Sequence, residues 1–264
     1  MKRKLALRAV AAFASTAMVA TALSVGALTP AQAATRSTVV LLSQGDITSL
    51  NSGTSDNNTA YNSQVGSLTG MGFSYYDNNA KLVMNTKFGT MKIVKQAPKD
   101  FQIQYNVTKG QTWSDGTKID AVDLLVSHIV ASSKYSKAAG LGDPSNADTK
   151  PAFDSGAYGA AYDDNVVGEP KLSNGNMTLT VKFGKPLPDW ELLAPGPSPV
   201  HAMTLMADGK KGLQSAAANI AAKNKFKNWF LTKSPKLATV GKIFTKSYDV
   251  TKVDSSTNEL LLVS

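Results

Sequence analysis

Between residues 101 and 107 apolar and polar positions alternate without a break: Phe101, Ile103, Tyr105 and Val107 against Gln102, Gln104 and Asn106. A period of two places those four apolar side chains on one face, so the segment predicts a strand with one buried side. From residue 121 the period changes. Ala121, Leu124, Leu125 and His128, with Val122, Ile129 and Val130, gather on one side of a helix predicted over 120–133. Between the two, Ser114-Asp115-Gly116-Thr117 predicts a turn, because Asp bonds the following backbone and Gly accepts a positive φ. Asp120 stands where an N-cap belongs, and Asp123 sits in the first turn, where the helix dipole favours a negative charge. Turn and capping work accounts for both Asp115 and Asp123. A catalytic carboxylate pair is the sharper reading, and the neighbouring sequence offers it no third polar group.

The same patterning divides the rest of the chain. A Val/Leu-rich strand is predicted at 37–42, followed by a polar loop over 43–62, longer than a structureless loop in a compact domain normally runs unless it has a function. Val65, Leu68 and Met71 mark a helical patch. Residues 73–76 and 81–84 flank a turn at Asp77-Asn78-Asn79, and a further strand is predicted at 88–94. Residues 134–168 are rich in Gly, Ala, Ser and Asp without a sustained period, and read as a surface insertion. A calcium loop at 143–148 fails there, since no glycine makes its bend. Residues 170–172 and 177–183 read as a hairpin around Asn174-Gly175, with Met177, Leu179, Val181 and Phe183 on one face. Pro195, Pro197 and Pro199 force an extended, donor-poor backbone that cannot sit inside a sheet. Helices are predicted around 202–206 and 213–230, and strands at 243–248 and 259–263.

Charge and the N-terminus narrow the setting. The 264-residue chain carries a net charge of +9. Removing the four cations of residues 1–33, which contain no acid, lowers it to +5. The remaining lysines are scattered, and no basic stripe interleaves with aromatics, which speaks against nucleic acid as a partner. Residues 1–33 have the order of a secretory signal: a basic segment to Arg8, an apolar run over 9–28, and small residues at Ala31 and Ala33. A retained anchor is the competing reading, although the run's many small residues leave it only weakly hydrophobic. With no cysteine, thiol catalysis and Cys-ligated metals are excluded, and so is a lipid-modified cysteine after the signal.

The string W-S-D-G-T-K-I-D-A-V-D-L, residues 113–124, resembles the signature of family 5 extracellular solute-binding proteins, the oligopeptide- and dipeptide-binding components of ABC importers. Lys185-Pro186-Leu187-Pro188-Asp189-Trp190 through Leu193 resembles the family's K-P-x-P-x-aromatic motif. The resemblance runs over about residues 38–264 and corresponds to the first half of a family member. It implies an α/β fold like the first lobe of a periplasmic binding protein (type II, cluster C), with a mixed sheet. The core sheet would lie at about 37–55 and 166–264, with a smaller inserted subdomain at about 56–165 and the second lobe missing; the product would be exported to the outer face of the membrane, there free, held by its uncleaved signal or bound to another component.

The expected function is binding rather than catalysis. The two histidines, His128 and His201, come without a serine-elbow, a metalloprotease or a nucleotide-loop motif, and neither a metal nor a cofactor is expected. Peptides captured in extended form need backbone partners. Asp46, Ile47, Thr48 and Ser49 are the candidates for one backbone edge, and Gly196 and Ser198 lie in the second candidate segment. Expected partners are an oligopeptide or another small solute, the permease subunits of an ABC importer, and a separately encoded C-terminal half if the receptor is split. A non-transporting remnant or a surface interaction protein is the alternative, and a secreted hydrolase the weakest one.

Overall fold

A computed structural model describes residues 45, 47–49, 51–153, 161–211 and 214–246, all of them within one compact unit, Gln44–Val253. The N-terminal 33 residues, the strand expected at 37–42, Asp46 and the strand expected at 259–263 lie outside the described residues.

The alternating segment is the middle of the sheet. Strand β4 (Asp100–Val107) buries every second residue, and it pairs with β3 (Gly89–Ala97) on one side and β6 (Thr178–Phe183) on the other. The short β5 (Lys171–Ser173) closes the order β3-β4-β6-β5. A separate hairpin joins β1 (Ser74–Tyr76) to β2 (Leu82–Met84). Its turn is held by Asp77, whose Oδ1 accepts the Asn79 and Lys81 amides. Every strand pair among the described residues is antiparallel, so the mixed sheet expected from the resemblance is not seen in them. Strands from before and after residue 165 share the four-stranded sheet.

The β5–β6 hairpin turns at the Asn-Gly pair, as its sequence predicts. Asn174, Gly175 and Asn176 all have positive φ, a conformation that Gly enters without a Cβ clash and that Asn enters more readily than most residues. The turn then docks onto the next layer, with the Asn176 carbonyl accepting the Ala121 amide at 2.7 Å.

Among the described residues six α-helices accompany the strands: α1 (Ala60–Thr69), α2 (Leu125–Ala131), α3 (Ser133–Ala138), α4 (Val200–Ala207), α5 (Ala216–Thr232) and α6 (Lys236–Lys246). None of the described helices is long and apolar enough to cross a membrane. The core includes the inner face of the sheet (Phe101, Ile103, Tyr105, Leu179, Val181, Phe183) and helical residues such as Leu125, Ile129, Phe226, Phe230, Leu237 and Val240. Tyr135 stacks on Phe230 at 4.4 Å and Tyr162 meets Phe183 edge-on at 5.5 Å.

Three expectations are corrected. The helix predicted over 120–133 begins only at Leu125. Asp120 caps the preceding turn instead, its Oδ1 accepting the Val122 amide at 2.9 Å. Residues 243–246, read as the start of a strand, are the last turn of α6. Leu237, Val240 and Phe244 recur at helical spacing on its packed side, Phe244 stacking on Phe153 at 4.9 Å. Finally, residues 60–62, read as loop, open α1, where the Thr59 side chain accepts the Asn62 amide.

Candidate functional site

The segment 113–124 is built as two turns. In the first, Asp115 Oδ1 accepts the Thr117 amide at 2.9 Å, and Gly116 takes the positive φ its position requires. In the second, Asp120 and Asp123 bond reciprocally: the Asp123 amide donates to the Asp120 carbonyl, and Asp123 Oδ2 accepts the Asp120 amide at 3.0 Å.

Both turns are gripped by side chains about a hundred residues further on. Asn219 and Lys223 lie one turn apart on the inward side of α5, capped at its start by Ser215. Asn219 Nδ2 donates to Thr117 Oγ1 at 2.8 Å and to Asp115 Oδ2 at 3.2 Å. Lys223 Nζ donates to Asp123 Oδ2 at 2.7 Å, Asp120 Oδ1 at 3.0 Å and the Lys118 carbonyl at 2.8 Å. Three acceptors meet three ammonium protons, so the amine has none left for a substrate. His201 of α4 completes the cluster, its Nε2 lying 2.9 Å from Asp115 Oδ2. A carboxylate only accepts, which puts the histidine proton on Nε2.

The charges follow from burial. Desolvation pushes the Asp123 carboxyl up to about 6 against the pull of Lys223. Burial also works to raise Asp115, but the hydrogen bonds from Thr117 and His201 outweigh it and hold that carboxyl below its ordinary value. Burial keeps His201 below the usual imidazole value although Asp115 opposes the shift. The sequence neighbourhood offered Asp115 and Asp123 no third polar group; the fold supplies His201, Asn219 and Lys223. The helical period of residues 219–230, which puts Asn219 and Lys223 beside Phe226 and Phe230, could have hinted at those two, whereas nothing along the chain points from His201 to Asp115.

The candidate ligand segments are held by different elements. The Thr48 and Ser49 amides both donate to Asn62 Oδ1, at 3.0 and 3.2 Å, and Asn62 Nδ2 returns a bond to Thr48 Oγ1. Buried Asn62, a polar residue that no sequence motif marks, therefore shapes this loop. Ile47 is half-buried, Thr48 exposed and Ser49 buried. The other segment hangs on the 113–128 block: the Ser198 amide donates to the Asp123 carbonyl at 2.9 Å, and Ser127 Oγ donates to the Gly196 carbonyl at 3.0 Å. Ser198 is largely buried. Gly196 is exposed, with open space where a Cβ would lie.

A cavity lies behind that segment, lined by residues including Ser127, His128, Tyr162 and Pro195, with a volume of about 10 Å³. That is room for one water and for no peptide side chain. His128 Nδ1 bonds the Tyr162 hydroxyl at 2.6 Å, while its buried Nε2 has no protein partner. Burial brings His128 down to about 4, so it is neutral at pH 7. The described residues hold no cluster of His, Cys, Asp and Glu suited to a metal ion.

No family model and no curated protein matches the chain. Among solved structures, a periplasmic EDTA-binding protein, EppA, is similar over 70% of this chain and 29% of its own, with 17% identity and a TM-score of 0.48. The match thus spans less than a third of that protein's length.

Proposed function

We propose that this chain captures small solutes outside the cytoplasm, peptides first among them, as the first lobe of a family 5 solute-binding protein serving an ABC importer. The observation that supports this most directly is the backbone between residues 194 and 199. It is extended by its prolines, fixed from behind by Asp123 and Ser127, and open on the side of Gly196. A rigid extended segment with an exposed glycine lets a ligand backbone approach closely. It hangs on the very string, residues 113–124, that carries the family resemblance. In this reading residues 1–33 are removed on export, Asp46–Ser49 provides the second edge, and a second lobe completes the site, from a separately encoded half if the receptor is split.

Affinity for one lobe alone is low on energetic grounds. A backbone hydrogen bond made on an open face nets only about 0.5–1.5 kcal/mol. Ordering each peptide residue costs about 1–2 kcal/mol. The two nearly cancel. Amide chemical shifts recorded with a pool of short peptides at high concentration are the direct test. Peptide-dependent shifts at Ile47–Ser49 and at Gly196 and Ser198 are expected, whereas shifts confined to other surfaces would refute the assignment. Calorimetry on the same chain should register no tight binding; a tight complex would refute the one-lobe argument.

A further inference from the structure

The outer face of the four-stranded sheet carries a second feature, independent of solute capture. Residues directly opposite across a ladder share a face. The register therefore puts Lys92, Gln104, Thr180 and Lys171 in one row across β3, β4, β6 and β5. Lys95, Gln102 and Lys182 form the next row, and Thr90, Asn106, Thr178 and Ser173 a third. None of these side chains is apolar. Lys92, Lys95 and Lys171 are exposed and Lys182 half-exposed. The one acid at this end, Asp100, is engaged by Lys95 and by Lys182 at 3.5 Å. Strands lie about 4.8 Å apart, so the lysines of the first row stand about 14 Å from each other across a floor of amides and hydroxyls.

We propose that this face binds an extended, flexible polyanion of the phosphodiester-linked polyol type. Four lysines spread over this span exceed what a compact anion reaches but suit a chain with a charge in each repeat. Lysine is a point-charge partner for phosphate, and the described residues contain no arginine to impose bidentate geometry. Hydroxyls between the phosphates meet Gln102, Gln104 and Thr180, which donate and accept. A peptide pairs with a sheet edge rather than crossing its face, and a single-stranded nucleic acid needs aromatic platforms that this face lacks.

The test is binding of fluorescent poly(glycerol phosphate) to the full chain across a salt series. Two phosphate contacts, at Lys92 and Lys171, rising to four if Lys95 and Lys182 exchange Asp100 for phosphate, predict a log–log salt slope between about −1.5 and −3, at about −0.7 per contact for a flexible strand. A K92Q/K95Q/K171Q/K182Q variant should bind at least about tenfold more weakly with a much flatter slope, and it should stay folded with a small loss of stability, since only the surface ion pairs of Lys95 and Lys182 with Asp100 are removed. A K210Q/K211Q/K236Q/K242Q variant removes equal charge elsewhere and should bind as the wild type does. Equal loss in both variants, or no binding at all, overturns the proposal. Single-stranded DNA or polyglutamate competing as well as the polyol phosphate overturns the assigned class. Peptide-dependent amide shifts unchanged in the first variant would keep this face separate from the solute site, and loss of those shifts there would overturn its independence.

Discussion

Lys223 Nζ lies 2.7 Å from Asp123 Oδ2, with the Asp123 side chain wholly shielded from solvent and Lys223 only 6% exposed. The pair joins α5 to the turn that opens α2, and through the Asp123 carbonyl it also sets the position of Ser198. The scaffold role expected of Asp123 is thus a tertiary clamp in addition to its local bond to the Asp120 amide.

Lys223→Met should be strongly destabilising, because it leaves Asp120 and Asp123 facing each other without a cation. Breaking a buried pair from one side typically costs about 3–5 kcal/mol. Adding Asp123→Asn removes the stranded charge and should recover part of that loss. Urea denaturation of the single and double variants checks both, and a double variant no more stable than the single would contradict the clamp.

Asp115 and Asp77 make the same turn bond, a carboxylate accepting the amide two residues on, but only Asp115 is also tied to His201 and Asn219. Asp115→Ala leaves those buried donors short of an acceptor, which costs about 1–3 kcal/mol. Asp77→Ala disturbs an exposed turn and should stay within about 1 kcal/mol. Equal midpoints for the two variants would show that the tertiary bonds add nothing.

Stability should fall between pH 6.5 and 4 through His128. Its folded value, about 4, lies below the ordinary 6.5 because of burial. The unfolded chain therefore binds the proton first as pH drops, so the contribution is complete above 6.5 and lost toward 4. That window corresponds to roughly 3 kcal/mol. Glu169 and Asp163 favour its protonation and Lys134 disfavours it. Asp123 works the other way: raised to about 6 from 3.8, its protonation favours the folded state as pH falls through that range. Comparing wild type with His128→Gln isolates the histidine, and parallel pH profiles would refute its role.

Two glycines should answer oppositely to alanine. A Cβ on Gly241 would sit 2.2 Å from the Ala139 carbonyl oxygen, where α6 runs against the end of α3, whereas Gly196 has open space. Gly241→Ala should cost about 1–3 kcal/mol through backbone displacement, and Gly196→Ala should stay within about 0.5 kcal/mol. Thermal unfolding of both variants decides it.

Features that depend on neighbours a few positions apart are legible in the chain itself. The alternation of residues 101–107 sets β4, Asn174-Gly175 sets the β5–β6 turn, and Ser114 to Thr117 sets the bend before the helix, because each rests on local sterics and short-range bonds. Packing prevails where distant groups compete for those local ones. The α2 start moved from Asp120 to Leu125 as Lys223, a hundred residues on, drew the Asp120 and Asp123 carboxylates into its own coordination. Ile243 and Phe244 have strand-prone side chains, yet packing of Leu237, Val240 and Phe244 made a helix of them. Asn62 shaped the candidate loop from an adjacent helix, and four lysines scattered between residues 92 and 182 became one face only when the strands took their register. Spacing along the chain records periodicity, whereas the partner of a buried charge is fixed only by the packing that brings it near.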